Sequence, residues 1–239
     1  MKVSLDSAGA NGNWKDYMVN NPKALEYGNG GANIIDYAVV DEQGNVVDGD
    51  QIMLICANHM KNKGQLKNDT LVVTVMSNLG LTLAAKDLGI NLETTKVGDR
   101  YVLENMLENG YCIGGEQSGH VIFLDDNTTG DGLLSALNLL RVMVETQKPL
   151  SELASVMQVL PQALINAKVP NHKKHDYMAY PEIAEAIAEL EKQFNGEGRV
   201  LIRPSGTEPL VRVMIEGKDQ KVIEAEAKKL AALITKTML

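Results

Sequence analysis

The sequence predicts an α/β protein: an open α/β sheet domain followed by a smaller α+β domain with a mostly antiparallel sheet. Three observations carry that expectation. Between Leu71 and Thr146, short apolar runs alternate with segments of helical period, the pattern of an open sheet covered by helices on both faces. After Pro149 the order changes to strand, helix, two strands joined by a tight Pro/Gly connection, and a last helix. The 239 residues are enough for two ordinary domains, and 44% hydrophobic with 23% charged residues is globular composition that excludes wholesale disorder.

The elements follow in order. Asn11, Gly12, Asn13, Asn20, Asn21, Gly28 and Gly30 crowd the first thirty residues, so little regular structure is expected before Ile34. Ile34 to Val40 reads as a strand, and the turn residues 41–45 lead to Val46 and Val47 as a hairpin. Asp50 is placed to cap a helix that buries Ile52, Ile55, Cys56 and Met60. Leu71 to Met76 is an almost wholly apolar strand of the kind buried on both faces of a parallel sheet. A helix from Asn78 to Leu88, a strand from Leu92 to Val97 and a helix from Asp99 to Glu108 come next, the helices stopped by Gly89 and Gly110. Short strands at Tyr111–Gly114 and Val121–Leu124 precede a helix over 132–146 with Leu133, Leu137, Leu140 and Val144 on one stripe. Beyond Pro149, a short helix near 151–157 leads to a strand at 163–169 and a helix at 181–194. Strands follow at 199–203 and 210–216. A final helix from Asp219 to Met238 takes Val222, Ala225, Leu230, Leu233 and Ile234 as its apolar face. The expected divisions are 1–47, a remnant of a preceding α/β domain; 48–160, an α/β domain; and 161–239, an α+β domain.

Composition narrows the function. With 23 Lys+Arg against 31 Asp+Glu the formal charge is −8, which argues against a nucleic-acid binder. No apolar run approaches the length of a membrane span, and the start Met1-Lys2-Val3 leads into no apolar leader, so neither membrane nor export is expected. Cys56 and Cys112 are too few for a disulfide framework or a metal cage, and a cytoplasmic location is the plain reading.

Three loops carry candidate chemistry. The first is Arg203-Pro204-Ser205-Gly206-Thr207-Glu208-Pro209 with Arg212 beyond it. Of five arginines, Arg199, Arg203 and Arg212 fall in this stretch. Guanidinium forks, the Ser205 and Thr207 hydroxyls and the backbone around Gly206, which lets the chain turn, would together cradle a phosphate. The other reading is a hairpin whose Arg and Glu208 merely pair at the surface. The second loop is Gly114-Gly115-Glu116-Gln117-Ser118-Gly119-His120, in which Glu116 and Ser118 could bracket sugar hydroxyls; an ordinary glycine-rich hairpin uses the same residues. His120 reads as a proton carrier or ligand contact on one view and as a structural histidine on the other. The third, Val97-Gly98-Asp99-Arg100-Tyr101, lies where a strand hands over to a helix and ligands usually sit; Asp99 as a plain cap and Arg100 as a surface partner is the alternative.

Other signals are weaker. Asp48-Gly49-Asp50 reads better as the start of a helix than as a metal loop. Gly28-Asn29-Gly30-Gly31 lacks the flanking strand and helix of a dinucleotide site. The Lys/His loop at 171–175 reads as solvated, and nothing marks Cys112 as an activated thiolate.

Taken with Val47-Asp48-Gly49-Asp50-Gln51-Ile52-Met53, Ser77-Asn78-Leu79-Gly80 and Thr128-Thr129-Gly130-Asp131-Gly132, these loops in this order resemble the bacterial phosphoglucosamine mutases of the α-D-phosphohexomutase superfamily over residues 38–239. The resemblance implies interconversion of glucosamine 6-phosphate and glucosamine 1-phosphate on the way to cell-wall amino sugars. It makes Glu116 and Ser118 sugar-binding residues, with Arg100 and His120 lining the cleft. Arg203, Ser205, Gly206, Thr207 and Arg212 become phosphate-binding. The resemblance covers only the C-terminal half of such a protein. The family's phosphoserine loop has no counterpart, and no Ser-His pair occurs in the sequence. The family also uses Mg²⁺, held by an Asp-Gly-Asp-x-Asp-Arg loop. The corresponding residues here, Gly31-Ala32-Asn33-Ile34-Ile35-Asp36, lack those carboxylates. The expectation is a chain with no catalytic or metal residues of its own, inactive alone, whose partner is a phosphosugar together with a missing N-terminal half or a second copy. A non-catalytic phosphosugar-binding module and a remnant with a structural role are the alternatives.

Overall fold

The computed structural model describes residues 2–4 and 38–239. Two compact units divide at Gln158/Val159.

In the first unit, β1 (Lys2–Ser4), β2 (Ala38–Val40) and β3 (Val46–Val47) form a small antiparallel sheet in the order β1-β2-β3. β1 is a strand in a stretch where none was expected; Ile34–Tyr37, the start of the expected strand, lie outside the described residues. Val39 and Val47 of this hairpin are buried in the unit's main core.

Next come α1 (Gly49–Asn62), β4 (Thr70–Thr74), α2 (Leu79–Asp87), β5 (Asn91–Thr95), α3 (Asp99–Asn109), β6 (Ile113–Gly115), β7 (Val121–Phe123), α4 (Gly132–Thr146) and α5 (Leu150–Ala154). The sheet order is β5-β4-β6-β7; β4 runs parallel to β5 and β6, while β7 is antiparallel to β6. Side chains alternate across β4. Leu71 and Val73 enter a core with α1, α2, α4 and α5, and Val72 enters a second core with Val102 and Met106 of α3. The sheet is therefore layered by helices on both faces, and β4 is buried along its whole length, as its apolar run requires.

Two sequence assignments change. Asp48, not Asp50, caps α1: its carboxylate accepts from the Gln51 N–H while the Gln51 side chain accepts from the Asp48 N–H. Asp50 lies inside the first turn, fully buried, and accepts from the Asn78 N–H at 2.6 Å. On α4 the stripe Leu133, Leu137 and Val144 faces out, at 52%, 55% and 66% exposure. The buried face mixes the small or polar Ser135, Ala136 and Asn138 with the core residues Leu139 and Val142, and it packs against α1 and β7.

In the second unit, β8 (Gln162–Lys168), β9 (Gly198–Pro204) and β10 (Leu210–Gly217) form an antiparallel sheet ordered β8-β10-β9. The helices α6 (Pro181–Phe194) and α7 (Gln220–Met238) cover one face with Ile183, Ile187, Ile223, Leu230 and Ile234. On α7, Val222 is exposed, and the buried stripe runs through Ile223, Ala227, Leu230, Ala231, Ile234 and Met238, one position on from the expected start. Among the described residues no helix is long and apolar enough to cross a membrane.

Candidate functional site

In the first unit the motif loops are joined to one another. The Gly49 N–H at the start of α1 donates to the Gln117 carbonyl at 3.0 Å. The Gln117 amide donates to the Asp48 carboxylate at 3.3 Å. Asp50 accepts from Asn78, whose own side chain caps α2 by accepting from the Gly80 N–H. The Gly98 N–H donates to Glu116 Oε1 at 2.9 Å, tying the loop after β5 to the loop after β6. Gly130 sits against His120, and Asp131 caps α4. Residues after β4, β5 and β6 thus meet at the carboxyl ends of the parallel strands, where open α/β sheets carry ligands.

The individual side chains are less uniform. Glu116 holds the Gly98 N–H through one carboxylate oxygen and is half-buried. Ser118 is exposed at the tip of a turn closed by the Gly119 N–H on the Glu116 carbonyl, with Gly119 at φ +103°, a conformation that favours glycine. His120 is half-buried beside Gly130. Arg100 points along α3 to Glu104 at 2.7 Å with 80% of its side chain exposed. Its guanidinium is raised above its ordinary value by that contact. The cap of α3 is Gly98, in the left-handed region at φ +130°; Asp99 caps nothing, and its carboxylate accepts from the next N–H, that of Arg100.

The second unit builds a different surface on the sheet face away from its helices. Cross-strand pairing aligns three rows there. Gln162, Glu216 and Arg199 form the first. Gln162 donates to Glu216 at 2.6 Å, and Arg199 pairs with the fully buried Glu216 at 2.5 Å, so Arg199 is engaged in structure. Leu164, Met214 and Leu201 form the second. Asn166, Arg212 and Arg203 form the third, beside the loop joining β9 to β10. Two guanidinium groups thus occupy facing positions. Burial and the Arg212 charge both pull Arg203 below the ordinary arginine value. The nearest carboxylate to Arg212 is Glu208, at 3.7 Å and exposed.

The loop itself is ordered from beneath. Ser205 is buried; its N–H donates to the Leu210 carbonyl, its Oγ accepts from the Glu208 N–H at 3.1 Å, and its carbonyl accepts from Lys174 Nζ. Gly206 and Thr207 are exposed, and their N–H groups make no hydrogen bond among the described residues. Gly206 is not needed for the turn in the way the sequence suggested: its φ is not positive, and a Cβ there would meet nothing within 4 Å. The turn does not need glycine; the space above it is open.

Residues 48–160 match the phosphoglucomutase/phosphomannomutase alpha/beta/alpha domain III, and residues 164–233 match the C-terminal domain of the same family. The chain belongs to the phosphoglucomutase/phosphomannomutase family. Phosphoglucosamine mutase from Caldicellulosiruptor saccharolyticus is 63% identical over 195 residues, covering 82% of this chain and 43% of that protein. This phosphohexomutase chain spans less than half the length of the curated relatives it matches. Among solved structures, the Aspergillus fumigatus N-acetylphosphoglucosamine mutase superposes with a TM-score of 0.70 at 18% identity, over 93% of this chain and 52% of that one. The same enzyme in complex with GlcNAc-6P and magnesium gives a TM-score of 0.65 at 19% identity, over 83% and 49%. At that identity the likeness establishes the fold alone.

Among the described residues no group of three or more His, Cys, Asp or Glu is placed to hold an ion. Residues 31–36, the counterpart of the family's metal loop by sequence, lie outside the described residues.

From sequence alone, the part played by four residues does not show. Gly49 and Asp48 looked like a helix start and also anchor the Glu116 loop. Asn166 has no motif, and only the β8–β10 register reveals its row. Lys174 sat in a loop taken as solvated and is buried against Ser205.

Proposed function

We propose that this chain forms the sugar- and phosphate-holding part of a phosphoglucosamine mutase, which interconverts glucosamine 6-phosphate and glucosamine 1-phosphate. The observation that carries the reading is the pairing of Arg203 with Arg212 beside the open N–H groups of Gly206 and Thr207. Facing like charges destabilise a strand pair until something negative joins them, and a phosphate offers oxygens to two guanidinium forks and two amides at once. Arg203, Ser205, Gly206, Thr207 and Arg212 hold the phosphate that is not being transferred. Ser205 uses its oxygen as acceptor from Glu208, so its hydroxyl hydrogen remains to donate.

Glu116 and Ser118 grip sugar hydroxyls, Glu116 through the oxygen that Gly98 does not occupy, with Arg100 and His120 orienting the substrate. Arg100 must leave Glu104 to do so, at little cost for an exposed pair. These are holding roles. No phosphoryl donor is assigned among them and no step is routed through a metal; turnover requires groups from remaining domains or a second chain. Identity of 62–63% to phosphoglucosamine mutases favours this reading over a stand-alone binding module. A cytoplasmic location goes with it, since both cysteines are free and buried.

Calorimetric titration of the chain with glucosamine 6-phosphate tests it. Saturable binding that Arg203→Ala abolishes is expected, and equal binding by both proteins would sink the assignment.

A further inference from the structure

A buried lysine normally has a carboxylate for company. Lys174 does not. It is 6% exposed, its one hydrogen-bond partner among the described residues is the Ser205 carbonyl at 2.5 Å, and it joins no ion pair there. Peptide bonds of the described chain are trans. A trans peptide points its carbonyl and the following N–H in opposite directions. With the Ser205 carbonyl drawn inward to Lys174, the Gly206 N–H is turned outward, toward the open space above the loop.

We propose that Lys174 is a positioning residue of the anion loop. It pins the Ser205 carbonyl from below so that the Gly206 amide faces the ligand, and it adds a third positive charge to those of Arg203 and Arg212. The inference rests on the phosphate role proposed for residues 203–212. A buried ammonium on a neutral carbonyl costs folding free energy; an anion seated on the loop offsets that cost, and the empty protein carries it. Lysine suits the place because its ammonium sits on a long stem that reaches under the loop and offers three donors in any direction.

The distinguishing variant is Lys174→Met, which keeps the length and apolar stem and removes the charge. Three readouts are compared in wild type, Lys174→Met and Arg203→Ala. These are calorimetric titration with glucosamine 6-phosphate and with inorganic phosphate, the melting temperature, and hydrogen exchange at the Ser205 and Glu208 amides. In Lys174→Met the melting temperature should hold or rise, since a buried charge with no carboxylate partner among the described residues has gone. Affinity for both ligands should fall about tenfold, the scale of one charge-assisted interaction. Exchange at Ser205 and Glu208 should quicken while other β9–β10 amides keep wild-type rates. Wild-type affinity in Lys174→Met, or a loss that merely tracks a lower melting temperature, overturns the proposal. If wild type binds neither ligand, the phosphate reading fails by itself. Exchange then decides for Lys174: unchanged rates overturn the pinning, and faster rates at those two amides support it.

Discussion

The Gly49 N–H donates to the Gln117 carbonyl at 3.0 Å, so the first turn of α1 and the loop after β6 form one piece of backbone structure. The approach leaves no room for a side chain: a Cβ at position 49 would lie 2.3 Å from the Glu116 carbonyl oxygen and 2.8 Å from the Gly119 nitrogen. Both neighbours are backbone and cannot swing aside. Gly49→Ala is therefore expected to cost about 1–3 kcal/mol, the range of overpacking changes, and to weaken glucosamine 6-phosphate binding by displacing Glu116. Urea denaturation and titration of the same preparation measure the two effects; full stability with wild-type affinity would contradict the geometry.

Cys56 gives a pH dependence. Burial pushes its thiol up from 9.0 to about 12, a shift only partly opposed by Arg141. Above about pH 9 the unfolded chain releases this proton while the folded chain keeps it, so the folded state binds more protons. Stability is full below the unfolded value and is lost as pH rises toward the folded one, by up to about 1.4 kcal/mol per pH unit. Cys112, also raised by burial, acts in the same direction. Cys56→Ala should flatten the slope of stability against pH between about 8 and about 10.5. The comparison is of slopes, because the cavity left by the sulfur lowers stability at every pH. Equal slopes in the two proteins would count against the shift.

Two arginines of the same strand should behave oppositely. Arg199 pairs with Glu216, which is fully buried and also receives Gln162. Glu216→Ala removes the buried carboxylate that Arg199 and Gln162 share and is expected to cost on the order of 3 kcal/mol, with phosphosugar affinity preserved in the folded fraction. Arg203→Ala should do the reverse, costing little stability, because the change relieves the repulsion from Arg212, while removing phosphate affinity. Chemical denaturation paired with titration separates the two, and a shared phenotype would refute the division of roles.

On α4, Leu137→Ser should change stability by no more than about 0.5 kcal/mol, as surface substitutions do, while Leu139→Ala should cost about 2–5 kcal/mol. Leu137 is exposed and Leu139 fully buried. Thermal melts of the two variants check this ordering directly.

That contrast shows where the sequence was legible. β4 announced itself because five consecutive buried residues need apolar character on both faces. The change from an open α/β sheet to a smaller antiparallel one was readable from element order. The α4 stripe was not, because its packed face combines Leu139 and Val142 with Ser135, Ala136 and Asn138, so that three of its five buried positions carry no strong hydrophobic signal while exposed leucines sit at helical spacing on the other side. The α1 cap slipped by two residues because Asp48 and Asp50 are chemically equivalent candidates, and only the contact with Asn78 assigns Asp50 to the interior. In the candidate site, the motif loops could be picked out by residue type. Lys174 and Asn166 could not, since one depends on burial and the other on strand register, and neither quantity is local in sequence.

Position 206 has a consequence of its own. Its backbone conformation suits any residue, and the volume where a side chain would go is empty. The folded loop sets no steric bar to a Cβ there, and a substitution such as Gly206→Val is expected to change the stability of the chain by itself by no more than about 1 kcal/mol, through the unfolded state. A molecule arriving from solvent would meet that side chain first, so if the loop receives the proposed phosphate, this single position is expected to act as a detector of its arrival.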